Sequence, residues 1–131
     1  MKYRKGYKYQ VYEDLVLQTV VRGFTVNDTF FTLDSTGRLL IRVNYAWDGA
    51  SGPTWDDETN MTPSLAHDAF YQMMREGYLP QSLKDTVDRQ FKDMCLERGM
   101  NSFRAAYYLE GVHLFGASSC KEQPDKVYEV K

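Results

Sequence analysis

The chain has 131 residues, 43% hydrophobic and 26% charged, which suits one folded domain with one core and excludes a disordered chain. Its net charge of -2 gives no electrostatic case for nucleic acid, which calls for a clustered basic face. No run approaches the ~20 apolar residues of a transmembrane segment, and the first residues lack a secretory signal pattern.

The opening stretch, MKYRKGYKYQ, interleaves Lys2, Arg4, Lys5 and Lys8 with Tyr3, Tyr7 and Tyr9. It reads as a solvated edge strand or a frayed terminus rather than an anion-binding surface. Tyr7 to Val21 is rich in Tyr, Val and Leu with partial alternation, the pattern of a strand. Asp34-Ser35-Thr36-Gly37 separates two β-like runs, Phe30 to Leu33 and Leu39 to Val43, and predicts a hairpin. A small antiparallel sheet is expected to end near Tyr45.

The stretch WDGASGPTWDDETN, residues 47–60, holds two Gly, one Pro and the acids Asp48, Asp56, Asp57 and Glu58. It predicts a long loop, and long loops in small domains commonly carry function. Trp47 and Trp55 bracket the loop. They form a rim for a lipid or protein partner, or they anchor the loop to the core.

Helices follow. Thr62 is the expected N-cap with Pro63 at the first helical position, and the helix runs to Glu76 before Gly77. After Tyr78-Leu79-Pro80 a second helix is expected over 81–98, ended by Gly99, and a third from Ser102 to Phe115. The fold class is therefore α+β in a single domain over 1–116: β-rich 1–46, loop 47–61, helical 62–116 with the helices on one face of the sheet. Residues 117–131 read as a flexible tail. Cys95, in an apolar helical stripe, and Cys120, in the tail, read as free thiols of a reducing compartment.

The stretch SLAHDAFYQ places His67 beside Asp68 in a helix that also supplies core. His67 shares a face with Phe70, Tyr71 and Met74, while Asp88 lines up with Phe91 and Cys95 on the second helix. His67 lies 12 residues before Leu79 and Asp88 lies 9 after it. At about 1.5 Å per residue the mismatch along two helices folded back on each other is roughly 4–5 Å, which side chains span. His67 and Asp88 are therefore expected to hydrogen-bond. A carboxylate bonded to one ring nitrogen fixes the tautomer and leaves the other nitrogen as a base. Asp68, about 100° round the helix, is a candidate cation ligand together with loop oxygens, a donor set that suits calcium better than zinc. The pair also has a plain structural use, satisfying two buried polar groups between helices, and both readings stay open here. His113 either lines the same cleft as His67 or is a helix-surface or capping residue near a helix C-terminus, and its position favours the second.

The segments YAWDGASGPT, PSLAHDAFYQMMREGYLPQS, VDRQF and GVHLFGAS resemble a family of phage and prophage proteins known only as a domain of unknown function, over Tyr7 to Gly116. That resemblance implies a bacteriophage accessory or virion-associated protein, in the cytoplasm of an infected bacterial host or in the virion, with a phage or host protein as partner. More locally, HDAFY followed by VDRQF is similar to the active-site helices of phospholipase A2, in particular its short bacterial and parvoviral forms. The resemblance implies His67 as the base that activates water, Asp88 as the acid that orients it, Tyr71 as the accompanying tyrosine, and Asp68 as the calcium carboxylate. Asp48, Gly49 and Gly52 would stand in for the calcium loop, although Gly52 is 15 residues ahead of His67, further than in that family. The implied activity is calcium-dependent hydrolysis of a lipid ester at a lipid surface. The alternative is a non-catalytic interaction module with a structural His-Asp pair.

Overall fold

The computed structural model describes residues 3–4, 9–47 and 58–115. Among them, seven short strands precede three helices: β1 (Tyr3–Arg4), β2 (Tyr9–Val11), β3 (Leu15–Gln18), β4 (Val26–Asn27), β5 (Phe31–Leu33), β6 (Arg38–Ile41), β7 (Ala46–Trp47), α1 (Met61–Arg75), α2 (Lys84–Glu97) and α3 (Ser102–Phe115). The fold is α+β, as expected. The expected loop residues 48–57 and the tail lie outside the described residues.

The single expected sheet is instead two antiparallel sheets, ordered β1-β2-β7 and β3-β6-β5-β4. The run read as one strand over 7–21 breaks at Tyr12-Glu13-Asp14, all exposed. The opposite chain breaks at the same level, between β6 and β7, so β2 pairs with β7 while β3 pairs with β6. The Asp14 carboxylate accepts a hydrogen bond from the Val43 amide at 2.8 Å, and the Asn44 amide donates to the Val11 carbonyl at 2.7 Å. Asn44 takes φ 76°, a left-handed conformation that Asn adopts more readily than most residues. Paired polar residues thus crease both chains at one point.

The hairpin at Asp34 forms as read, with Leu33 opposite Leu39 and Phe31 opposite Ile41. Asp34 Oδ1 accepts from the Thr36 amide (2.9 Å), the Thr36 hydroxyl (2.6 Å) and the Arg38 amide (3.1 Å). These bonds, led by the Thr36 hydroxyl, hold its carboxyl below the usual range. By strand alternation Phe31, Leu33, Leu39 and Ile41 all turn inward and are fully buried or nearly so. They share one core cluster with Leu65, Ala66, Ala69, Phe70, Met73 and Met74 of α1 and with Val87 of α2.

Helix α1 starts two residues earlier than expected, with Asn60 rather than Thr62 at the N-cap, so Pro63 is the third helical residue. Proline is tolerated there because the first four amides of a helix have no partner within it. The closing signals Gly77 and Gly99 act as read: Tyr78 N–H reaches Met73 O (2.8 Å) and Gly77 N–H reaches Met74 O (3.1 Å). The equivalent bonds at the end of α2 join Met100 to Cys95 (3.0 Å) and Gly99 to Leu96 (3.1 Å). The expected first turn of the second helix, Gln81–Leu83, is a separate 3-10 turn ahead of α2.

Helix α2 packs between α1 and α3. A second cluster of Phe91, Cys95, Met100, Ala105, Tyr108 and Val112 joins α2 to α3 and contains no strand residue. The helices therefore stack one on the next rather than all lying on a sheet face. Gln90 of α2, buried, accepts from the Val20 amide at 2.8 Å and ties the helical layer to the end of β3.

Gly37 tests the hairpin. Its φ is +91°, and a Cβ there would stand 2.4 Å from the backbone oxygen of Thr19. That oxygen cannot swing aside, because Thr19 is pinned by its amide (2.8 Å) and hydroxyl (2.7 Å) to the Gly37 carbonyl. Gly37→Ala is expected to cost at least the ~1–3 kcal/mol of a strained backbone. Gly23→Ala, at φ +84° but with open space around it, is expected to cost less. Urea midpoints of the two variants check the order.

Candidate functional site

The Asp88 carboxylate is fully buried and has four polar neighbours drawn from all three helices. Oδ1 faces α1: it lies 2.7 Å from Nε2 of His67 and accepts the Tyr71 hydroxyl at 2.5 Å. Oδ2 faces the other way: it accepts from Nζ of Lys84 at 2.8 Å and lies 2.9 Å from Nδ1 of His113. Lys84 Nζ is also 3.5 Å from that same nitrogen.

The geometry follows from helix spacing. His67 and Tyr71, four apart on α1, present adjacent side chains to α2, and their rings lie 4.0 Å apart between centroids. Phe91, three after Asp88, packs its ring 5.2 Å from that of His67. Lys84 reaches Asp88 along α2 by the i, i+4 relation. His113 comes from the last turn of α3.

The two ends of the cluster differ in exposure. The side chains of His67 and Asp88 are 3% and 0% exposed, whereas Lys84 and His113 are 20% and 32% exposed. At the closed end, burial lowers the pKa of His67, and this outweighs the opposing pull of its bond to Asp88. Burial alone would raise the pKa of Asp88. The bonds from His67, Lys84 and Tyr71 outweigh it and hold the carboxyl at about 2. The result at neutral pH is a neutral imidazole beside an ionised carboxylate. Nε2–H donates to Asp88, and the lone pair falls on Nδ1, which no hydrogen bond from the described residues reaches.

The expected contact of His67 with Asp88 is present, and Tyr71 joins it as a brace on Asp88. Asp68 is half-buried on α1. Burial first, and the Asp68 charge second, keep the Tyr45 hydroxyl protonated. Tyr45 donates to Gln72, one turn after Asp68, at 3.0 Å. Asp68 thus lies on the side of α1 nearest Tyr45. Asp48, Gly49, Gly52 and Trp55 lie outside the described residues. Trp47 is 3% exposed: its ring packs 5.4 Å from that of Tyr9, and its indole N–H donates to Ser64 Oγ at 3.1 Å. Its place is that of an anchor rather than a surface rim. Ser64 is one turn ahead of His67 on α1.

Lys84 does not figure in the sequence reading, although its i, i+4 spacing to Asp88 is the signal that would have found it. Of the two readings of His113, the structure favours the cleft and brings it onto the carboxylate. Nothing local in the chain marks that contact, because 25 residues separate the two. Asp85, Asp88 and His113 each offer one ligand atom, all within 4.8 Å of one another, so a group with metal-ligand chemistry is present. It is not the Asp68 set expected for calcium.

Both pKa shifts make the fold acid-sensitive. The unfolded imidazole takes a proton near 6.5 while folded His67 resists it. The contribution of His67 is therefore complete above pH 6.5 and declines as the pH falls below it. That of Asp88 is complete above the ordinary value of 3.8 and is lost as the pH falls through about 2. Urea midpoints should drop between pH 7.5 and 5 in the wild type, and drop less in His67→Gln. Against family models, curated proteins and solved structures, the chain finds no match.

Proposed function

We propose that the protein is a calcium-dependent hydrolase of lipid esters, in which His67 is the general base, Asp88 orients it, and Tyr71 braces Asp88. One observation carries this reading: the buried, ionised Asp88 engages Nε2 of a neutral His67 and leaves Nδ1 with a lone pair. In the reaction Nδ1 takes a proton from water, the water oxygen attacks the ester carbonyl, and Asp88 stabilises the imidazolium that forms. The tetrahedral intermediate then collapses, the ester C–O bond breaks, and the imidazolium returns its proton to the leaving alkoxide. Asp68 offers the hard oxygen that calcium takes, and the resemblance would add Asp48, Gly49 and Gly52 as the calcium loop. Calcium held there would supply positive charge to the oxyanion. The similarity of HDAFY and VDRQF to phospholipase A2 supports the same roles. The longer resemblance to phage proteins supports action in an infected bacterial cell or in the virion, at a lipid surface.

A second reading is favoured by a different observation. His67 is 4% exposed, and the Asp88 network spans three helices with both carboxylate oxygens satisfied. Such a network is also what a purely structural polar core needs. The protein would then be a phage module that binds a phage or host protein.

His67→Ala separates the two. For a hydrolase, calcium-dependent cleavage of anionic phospholipid vesicles falls about 10²–10⁴-fold, the usual contribution of a general base. Calorimetry with calcium should show saturable binding to the wild type and none to Asp68→Asn. If neither cleavage nor calcium binding occurs at millimolar calcium, the hydrolase is excluded. The structural reading then predicts only a stability loss of about 1–3 kcal/mol for His67→Ala.

A further inference from the structure

We propose that Asp85, Asp88 and His113 form a binding site for a divalent transition-metal ion, and that the Lys84 ammonium fills the cation position in this structure. The site is separate from Asp68 and does not depend on hydrolysis.

The ligand set is one imidazole nitrogen and two carboxylates, which suits zinc and its neighbours rather than calcium with its six to eight oxygens. Nδ1 of His113 lies 2.9 Å from Oδ2 of Asp88 and 3.9 Å from Oδ1 of Asp85, and the three residues each offer a ligand atom within 4.8 Å of the others. Ligands bonded at about 2.0–2.1 Å in a tetrahedron stand roughly 3.3 Å apart, and the first two distances bracket that value. Asp85 and Asp88 are three residues apart on α2 and share a face, while His113 comes from α3.

Two further observations point to a cation. The first is Lys84 itself: its ammonium sits 2.8 Å from Asp88 Oδ2 and 3.5 Å from His113 Nδ1, among the atoms that would hold the metal. The side chain is 20% exposed and has a flexible stem, so it can withdraw to solvent when a metal arrives. Asp88 then exchanges one positive partner for another and never stands unpaired. The second is the hold on the other carboxylate oxygen. His67 and Tyr71 fix Oδ1, so Oδ2 is already oriented, as partners behind a metal ligand do.

The site predicts competition between the lysine and the metal. The test is zinc titration by calorimetry on the full chain in a Cys120→Ser background, which removes the tail thiol as a ligand, with thermal unfolding as a second readout. Lys84→Met should bind zinc roughly tenfold or more tighter than its parent, because a like charge leaves the site. His113→Ala should lose binding, and Asp85→Asn should weaken it. Asp85 is 80% exposed, so that substitution leaves the fold intact. Zinc should raise the melting temperature of the parent and of Lys84→Met, but not that of His113→Ala. The proposal is overturned if Lys84→Met binds no tighter than its parent, or if His113→Ala or Asp85→Asn keeps the parent's affinity.

Discussion

A carboxylate with no exposed surface constrains everything around it. An ionised group taken out of water costs several kcal/mol unless it is paired and hydrogen-bonded. Asp88 meets that demand with His67 and Tyr71 from α1, Lys84 from its own helix and His113 from α3. The three helices are thereby held in one register about a single pair of oxygens. The apolar contacts on either side agree with it: Val87, next to Asp88, belongs to the cluster shared with α1 and the sheets, and Phe91 belongs to the cluster shared with α3.

The carboxylate also divides the cluster by chemistry. Oδ1 looks into the core, towards a neutral imidazole in tilted contact with the rings of Tyr71 and Phe91. Oδ2 looks towards the partly exposed Lys84 and His113. A change at one oxygen reaches the other through the charge they share. The proposed base chemistry at Oδ1 and the proposed cation binding at Oδ2 would therefore be coupled through one carboxylate. The sheets serve this arrangement from a distance. Trp47 anchors the end of β7 to Ser64, and Gln90 holds α2 to the end of β3, so both helices that carry the His-Asp pair are tied to the strands.

Features set by local chemistry were legible in the chain. The Asp34 turn, the helix ends at Gly77 and Gly99, and the apolar stripes of α1 and α2 all follow from residues within a few positions of one another. The contact of His67 with Asp88 was legible too, because a short connection leaves two helices little freedom in relative register. The crease that divides the strands into two sheets was not. It depends on Asp14 meeting the Val43 amide, 29 residues away, and on Asn44 taking a left-handed conformation. Propensity along Tyr7 to Val21 carries no trace of either.

The sequence by itself determined the α+β class, the order of the elements, and the pairing of a histidine with an aspartate across two helices. Periodicity and turn chemistry act over one or two turns of chain, and these features need no more. Tertiary structure alone decided that α3 packs on α2 rather than on a sheet, that His113 and Lys84 join the carboxylate, and that Trp47 is buried. These outcomes rest on which apolar faces meet and on where a buried charge finds donors. Both are properties of the packed whole, because a buried carboxylate accepts any donor the fold brings within reach, however distant in the chain.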